Sequence, residues 1–159
     1  MRRRSSLLAV SLLAVALACA GGAGNGPAYP EVLAAAAPLA PGRARLVVYR
    51  TLYTAAEGFH PEIALDGRGA GSLPEGTFLW LEAAAGPHEL SLPPVASYAA
   101  FGAQMPTPPL ALDLAAGTTT YVSLDGVAAA ADVQPSLAIV GAARAQSDLS
   151  TLERAPAGP

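Results

Sequence analysis

Short apolar segments separated by turn-forming residues are the feature that most restricts how this chain can fold. The segments recur about every ten residues, and several alternate apolar with polar side chains as a half-buried strand does. They are rich in the β-branched and aromatic residues that favour strands. Seven or eight strands are therefore predicted, with candidate segments at 45–53, 62–65, 70–73, 77–82, 88–92, 110–114, 118–124 and 136–140.

The residues between these segments favour tight connections. Asp66-Gly67 predicts a hairpin turn, since both residue types tolerate positive φ, and Asp125-Gly126 repeats the signal. No amphipathic segment of helix length intervenes, which excludes repeating βαβ units. The sequence predicts an all-β fold, an antiparallel β-sandwich, followed by a short C-terminal helix over 147–154 that Ser147 caps.

The N-terminus has the organisation of an export signal over residues 1–18. Arg2 to Arg4 are cationic, and Leu7 to Leu17 are apolar apart from Ser11. This run is far shorter than the roughly 20 residues that span a bilayer as a helix. The protein is therefore expected to be exported, with cleavage after Ala18.

A single cysteine follows the apolar run directly. The segment Val15-Ala16-Leu17-Ala18-Cys19-Ala20 resembles the lipobox of bacterial lipoproteins, in which the cysteine is acylated and becomes the mature N-terminus. The resemblance implies lipidation at Cys19, a lipid anchor in the membrane and, because Ala20 follows, an outer-membrane location. Ordinary signal cleavage at the same small residues, giving a periplasmic or secreted protein, is the alternative.

Composition divides the rest of the chain. Residues 19–42 are expected to be the lipidated N-terminus and a flexible Gly/Ala/Pro linker, because four prolines interrupt any helix there. The β-sandwich domain is expected over 43–154, and 155–159 as a disordered tail. One thiol cannot form an internal disulfide.

Charge argues against nucleic acid as a partner. Loss of the leader removes three arginines and leaves six against twelve acidic residues, a formal charge of −6. The remaining arginines are dispersed, apart from Arg43, Arg45 and Arg50, whereas phosphate binding needs clustered cations.

About half of the chain, from Leu46 to Leu124, resembles a family of uncharacterised bacterial lipoprotein domains and is similar to PEGA-type surface-layer domains. The resemblance implies an Ig-like or transthyretin-like β-sandwich on an envelope protein, and it carries no catalytic motif. The residues that support it are mainly turn glycines and core positions: Leu46-Val-Val-Tyr-Arg50, Leu65-Asp-Gly67, Gly71-Ser-Leu73, Gly76-Thr-Phe78, Gly86-Pro-His88 with Leu90, and Ala116-Gly117 with Tyr121-Val122.

No catalytic, cofactor or metal site is expected. The chain lacks lysine and has no Gly-x-Ser-x-Gly segment or phosphate-binding glycine loop. His88 is interpreted as a hydrogen-bonded strand residue beside a turn, and His60 with Glu62 lacks further metal ligands nearby. Glu82 and Glu89 are interpreted as solvated charges.

The proline-rich stretch 93–109 is long for a connection in a small β-domain. Its Tyr98, Phe101 and Met105 are the candidate binding loop for an envelope protein or a glycan, or else they fold back on the sandwich edge. The predicted function is an envelope-anchored lipoprotein with a non-enzymatic interaction or structural module. The alternative is a carbohydrate-binding domain, which would need Phe78, Trp80 and Tyr121 to be exposed.

Overall fold

The computed structural model describes residues 26–52, 60–93, 107–125 and 135–156. Nine strands and two helices lie in these ranges. They are, in chain order, α1 Tyr29–Ala35, β1 Arg43–Arg50, β2 Glu62–Leu65, β3 Arg68–Ser72, β4 Thr77–Ala84, β5 Gly86–Ser91, β6 Leu110–Leu114, β7 Thr119–Asp125, β8 Ser136–Val140, α2 Ala142–Leu149 and β9 Glu153–Arg154.

The strands form two sheets. The larger has the order β8-β7-β1-β4-β9 and the smaller β3-β2-β5-β6. Most neighbours are antiparallel, whereas β1 and β7 run parallel, as do β4 and β9. The all-β sandwich expected from the sequence is confirmed, and its larger sheet is mixed rather than wholly antiparallel.

The main core lies between the two sheets. Alternate residues of β1, among them Leu46 and Val48, point into it and meet Ile63 and Leu90 from the smaller sheet. All four side chains are fully buried. Where the sequence alternates apolar with polar residues, as it does around Leu90 in β5, the apolar side chain faces this core.

A second core covers the outer face of the larger sheet. Val47 and Tyr49 of β1 and Phe78 of β4 pack there against Tyr29 of α1 and Leu149 of α2. Both faces of β1 are therefore buried, which explains its nearly continuous apolar sequence.

Three expected boundaries differ in the structure. Part of the predicted linker 19–42 folds, because Tyr29 and Val32 of α1 are buried in the second core. The C-terminal helix spans 142–149 rather than 147–154, so Ser147 lies inside it and Gly141 is its N-cap. Part of the predicted tail 155–159 also folds, since the Ala155 N–H donates to the Phe78 carbonyl at 2.8 Å.

The Asp66-Gly67 hairpin turn is confirmed. Asp66 has φ 53° and Gly67 has φ 71°, the left-handed values that both central residues of a type I′ turn require. The turn joins β2 to β3 and brings the Asp66 side chain to β5.

Candidate functional site

A cleft of about 510 Å³ lies where edges of the two sheets approach each other. β3 is the edge strand of the smaller sheet, and the second half of β4 forms the facing wall. The cleft is lined by apolar residues that pack on the main core and by charged residues at the rim: Leu65, Asp66, Arg68, Gly69, Ala70, Leu81, Glu82, Ala83, Ala84 and His88.

The β4 wall is an edge because β9 is short. Within the described residues, β9 pairs with Thr77 and Phe78 alone, so the strand beyond them has no neighbour on that side. Phe78 directs its carbonyl outward to the Ala155 N–H. Since backbone groups alternate in direction along a strand, the carbonyls of Glu82 and Ala84 also point outward.

Side chains cap both of these carbonyls. Arg43 Nη2 donates to the Glu82 carbonyl at 2.6 Å. His88 Nε2 lies 2.9 Å from the Ala84 carbonyl. The two caps occupy acceptors that an added strand would need, which disfavours pairing of another chain with this end of β4.

The second ring nitrogen of His88 contacts the smaller sheet. Nδ1 lies 2.7 Å from Asp66 Oδ2, and only 12% of the His88 side chain is exposed. The hydrogen bond to Asp66, and then that to the Ala84 carbonyl, raise the pKa of His88 above its ordinary value. The interpretation of His88 as a hydrogen-bonded strand residue is confirmed.

Asp66 holds its own position through the backbone of β5. Its N–H donates to the Glu89 carbonyl at 2.8 Å, and its Oδ1 accepts the Glu89 N–H at 3.0 Å. That backbone bond, followed by the His88 contact, lowers the pKa of the Asp66 carboxyl. The carboxylate thus joins the β2–β3 turn to β5.

A charged cluster lies on the opposite, helix-covered face of β4. Arg45 binds Glu82 Oε1 at 3.0 Å and donates to the Ala37 carbonyl at 3.1 Å. Its guanidinium lies 4.4 Å from the ring centroid of Trp80. These contacts use Nη2 of a largely buried cation and tie the segment after α1 to the sheet, whereas Arg45 Nε is buried with no hydrogen-bond partner among the described residues.

The sequence-based candidates are distributed unevenly over the structure. Ala18, Cys19, Tyr98, Phe101 and Met105 lie outside the described residues, so the cleavage site, the lipidation site and the binding loop stay predictions. The cleft was not anticipated, because nothing in the sequence pairs Asp66 with His88.

Other candidates fall on described positions. His60 is exposed, and no group of three or more potential metal-ligating side chains occurs within the part of the chain that the structure describes. Phe78 is fully buried and Tyr121 is 7% exposed, so these rings do not form an exposed platform with Trp80. Glu82 and Glu89 are both exposed, and Glu82 also binds Arg45.

Comparisons with known proteins add no further assignment. No family model, curated protein or solved structure matches the chain. Among the described residues, neither helix has the length and apolar character needed to cross a membrane.

Proposed function

We propose that this protein is an exported, envelope-anchored lipoprotein whose β-sandwich acts as a non-enzymatic binding module. The export signal over 1–18 and the lipobox-like placement of Cys19 support the anchor. The composition of residues 21–25 supports it as well, because such glycine-rich sequence is typical of the tethers that follow a lipid anchor.

The chemistry of the cleft favours binding over catalysis. A histidine acting as a general base needs a ring nitrogen free to accept a proton from the substrate. Both nitrogens of His88 are committed to acceptors within the protein, and Asp66 is committed to His88 and to Glu89. The role of Asp66 and His88 is therefore structural, since their hydrogen bonds hold the walls of the cleft together.

The observation that carries the proposed binding role is the contrast between the two walls of the cleft. The β4 carbonyls are capped, whereas β3 is an edge strand of sequence Arg-Gly-Ala-Gly-Ser with no strand beyond it among the described residues. At Gly69 a β-carbon would meet no other atom within 4 Å, so a second chain can approach the backbone closely. We therefore assign the ligand as an extended segment of an envelope protein that adds to β3.

Side chains of such a segment would alternate between the cleft and solvent. Those facing inward would lie over Leu65, Ala70 and Leu81, the partly buried residues that separate the cleft from the main core. Arg68 is exposed at the rim and forms no ion pair within the described residues, which favours a segment carrying a carboxylate.

Site-specific photo-crosslinking in the native envelope tests this role. A photoreactive residue replaces Arg68 in one variant and Asp113 in another, because Asp113 is exposed on β6, the opposite edge of the same sheet. We expect capture from position 68 of a single contiguous segment of one protein, and little capture from position 113. Equal capture at both positions, or capture of glycan, would contradict the proposal.

A synthetic peptide of the captured segment then provides a binding measurement. We expect Arg68→Glu to weaken its binding to the purified protein at least tenfold, about 1.4 kcal/mol. Arg144→Glu serves as the matched control, since Arg144 is an exposed arginine on α2. Equal loss in the two variants would indicate a non-specific charge effect.

A further inference from the structure

We propose that His88 is a proton-dependent clasp that fastens the β2–β3 hairpin of the smaller sheet to the β4 edge of the larger sheet. The clasp follows from the contacts of the folded chain and does not depend on the proposed binding function. Its effect on ligand entry, described below, does rest on that function.

The clasp joins the β2–β3 turn to the end of β4. Asp66 belongs to the turn between β2 and β3, and Ala84 is the last residue of β4. His88 lies on β5 and contacts both residues: its Nδ1 is 2.7 Å from Asp66 Oδ2, and its Nε2 is 2.9 Å from the Ala84 carbonyl oxygen. A single side chain thus spans the two sheets at one end of the cleft, where all three residues line the wall.

Both bonding partners of the ring are acceptors, and this makes the clasp sensitive to protons. A carboxylate oxygen and a backbone carbonyl can only accept, so both bonds form only when both ring nitrogens carry hydrogen. A neutral imidazole has one N–H and must turn a lone pair toward the other oxygen. Loss of one proton therefore replaces one attraction by a repulsion.

Two charged groups act on His88, namely Asp66 in the hairpin turn and Arg43 on β1. Arg68 on β3 lines the same cleft, whereas the Glu82 side chain binds Arg45 on the other face of β4 and Glu89 on β5 contributes its backbone N–H to Asp66. Asp66 is the one in direct contact, and it favours the imidazolium. Arg43 opposes the charge, and its guanidinium is occupied by the Glu82 carbonyl.

The direction of the pH effect follows from linkage. Because folding raises the pKa of His88, its contribution to stability is complete below the ordinary histidine pKa of about 6.5 and is lost as pH rises through the folded value. Raising the pH should release the hairpin from the Ala84 carbonyl. On the proposed binding function, this release opens the cleft at that end.

NMR titration of the full mature chain tests the clasp without any ligand. Long-range proton–nitrogen spectra of the imidazole rings report how many nitrogens carry hydrogen. We expect His88 to titrate above the ordinary histidine pKa of about 6.5. Asp66→Asn, which keeps a residue tolerant of the turn's positive φ, should lower the His88 pKa, because it removes the carboxylate that favours the imidazolium.

The free energy of unfolding as a function of pH gives a second measurement. The difference in the free energy of unfolding between the wild type and His88→Gln should shrink as pH rises through the His88 pKa. A His88 that titrates at or below the ordinary histidine pKa of about 6.5, or an Asp66→Asn variant with an unchanged His88 pKa, would overturn the clasp. Absence of peptide binding with an intact clasp would instead refute only the proposed function.

Discussion

The packing of Tyr29 provides the sharpest test of where the folded unit begins. The sequence places this residue in a linker, whereas the structure buries it to 3% exposure on the outer face of the larger sheet. Its ring meets that of Phe78 edge-on at 5.4 Å, and its hydroxyl lies 3.2 Å from that of Tyr121. Its N–H donates to the Leu152 carbonyl at 3.0 Å.

These contacts set the expected magnitudes. Tyr29→Ala should lower the free energy of unfolding by about 3–5 kcal/mol, the usual cost of truncating a fully buried aromatic ring. Tyr29→Phe keeps the ring and loses one hydroxyl contact, so its cost should be about 1 kcal/mol. Leu33→Ala is the matched control on α1, since Leu33 is 45% exposed, and its effect should stay within about 0.5 kcal/mol.

Urea unfolding of the mature chain measures all three variants. The fluorescence of Trp80, the only tryptophan, reports the transition close to the mutated site, because the Trp80 and Tyr29 rings lie 6.2 Å apart. With a urea slope of about 1–3 kcal/mol/M, the Tyr29→Ala midpoint should fall by at least about 1 M. Equal midpoints for Tyr29→Ala and Leu33→Ala would refute the docking of α1.

Further predictions concern the second core, a corner between the sheets and the turn carboxylate. Leu149→Ala should lower the free energy of unfolding in chemical denaturation by about 2–5 kcal/mol, because Leu149, the last residue of α2, is fully buried. Gly86→Ala should lower stability by about 1–3 kcal/mol, because Gly86 has φ 125°, a value that residues with a side chain rarely adopt. The added β-carbon would meet nothing within 4 Å, so the cost comes from the backbone and not from a clash. Gly141→Ala is the control, since Gly141 has φ −67°, and it should change stability by less than about 1 kcal/mol. Folding lowers the pKa of Asp66, chiefly because its carboxylate accepts the Glu89 N–H. The contribution of Asp66 to stability is therefore present above the ordinary pKa of about 3.9. The stability advantage of the wild type over Asp66→Asn should vanish as pH falls through the folded pKa.

Local pattern was sufficient to predict most strands. Segments 62–65, 110–114 and 136–140 have the predicted bounds, and the Asp66-Gly67 turn has the predicted backbone geometry. These features depend on side-chain alternation and on the φ values that Asp and Gly accept, both of which are properties of adjacent residues.

The second core was missed because its covering layer has little sequence signal. Consecutive apolar residues in β1 indicate burial on both faces, yet the cover comes partly from an alanine-rich segment. Proline composition predicts that Pro30 breaks a helix, whereas it occupies the first turn of α1, where its missing N–H costs nothing. Only Tyr29 and Val32, three residues apart, mark the buried face.

Long-range contacts account for the remaining differences. The parallel pairing of β1 with β7 joins residues about 74 positions apart, and periodicity carries no information on strand order. The contact between Asp66 and His88 likewise depends on the β2–β5 pairing, which places the turn beside β5. The sequence indicates that His88 is a strand residue but cannot name its partner.

The identity of the mature N-terminus tests most directly the proposal that this is an anchored envelope protein. Intact and peptide mass spectrometry of protein isolated from the native membrane fraction measures it. The account predicts a chain that begins at Cys19 and carries a lipid-mass adduct on that residue. An uncleaved chain that begins at Met1 in the cell interior, or a mature Cys19 without added mass, would contradict it.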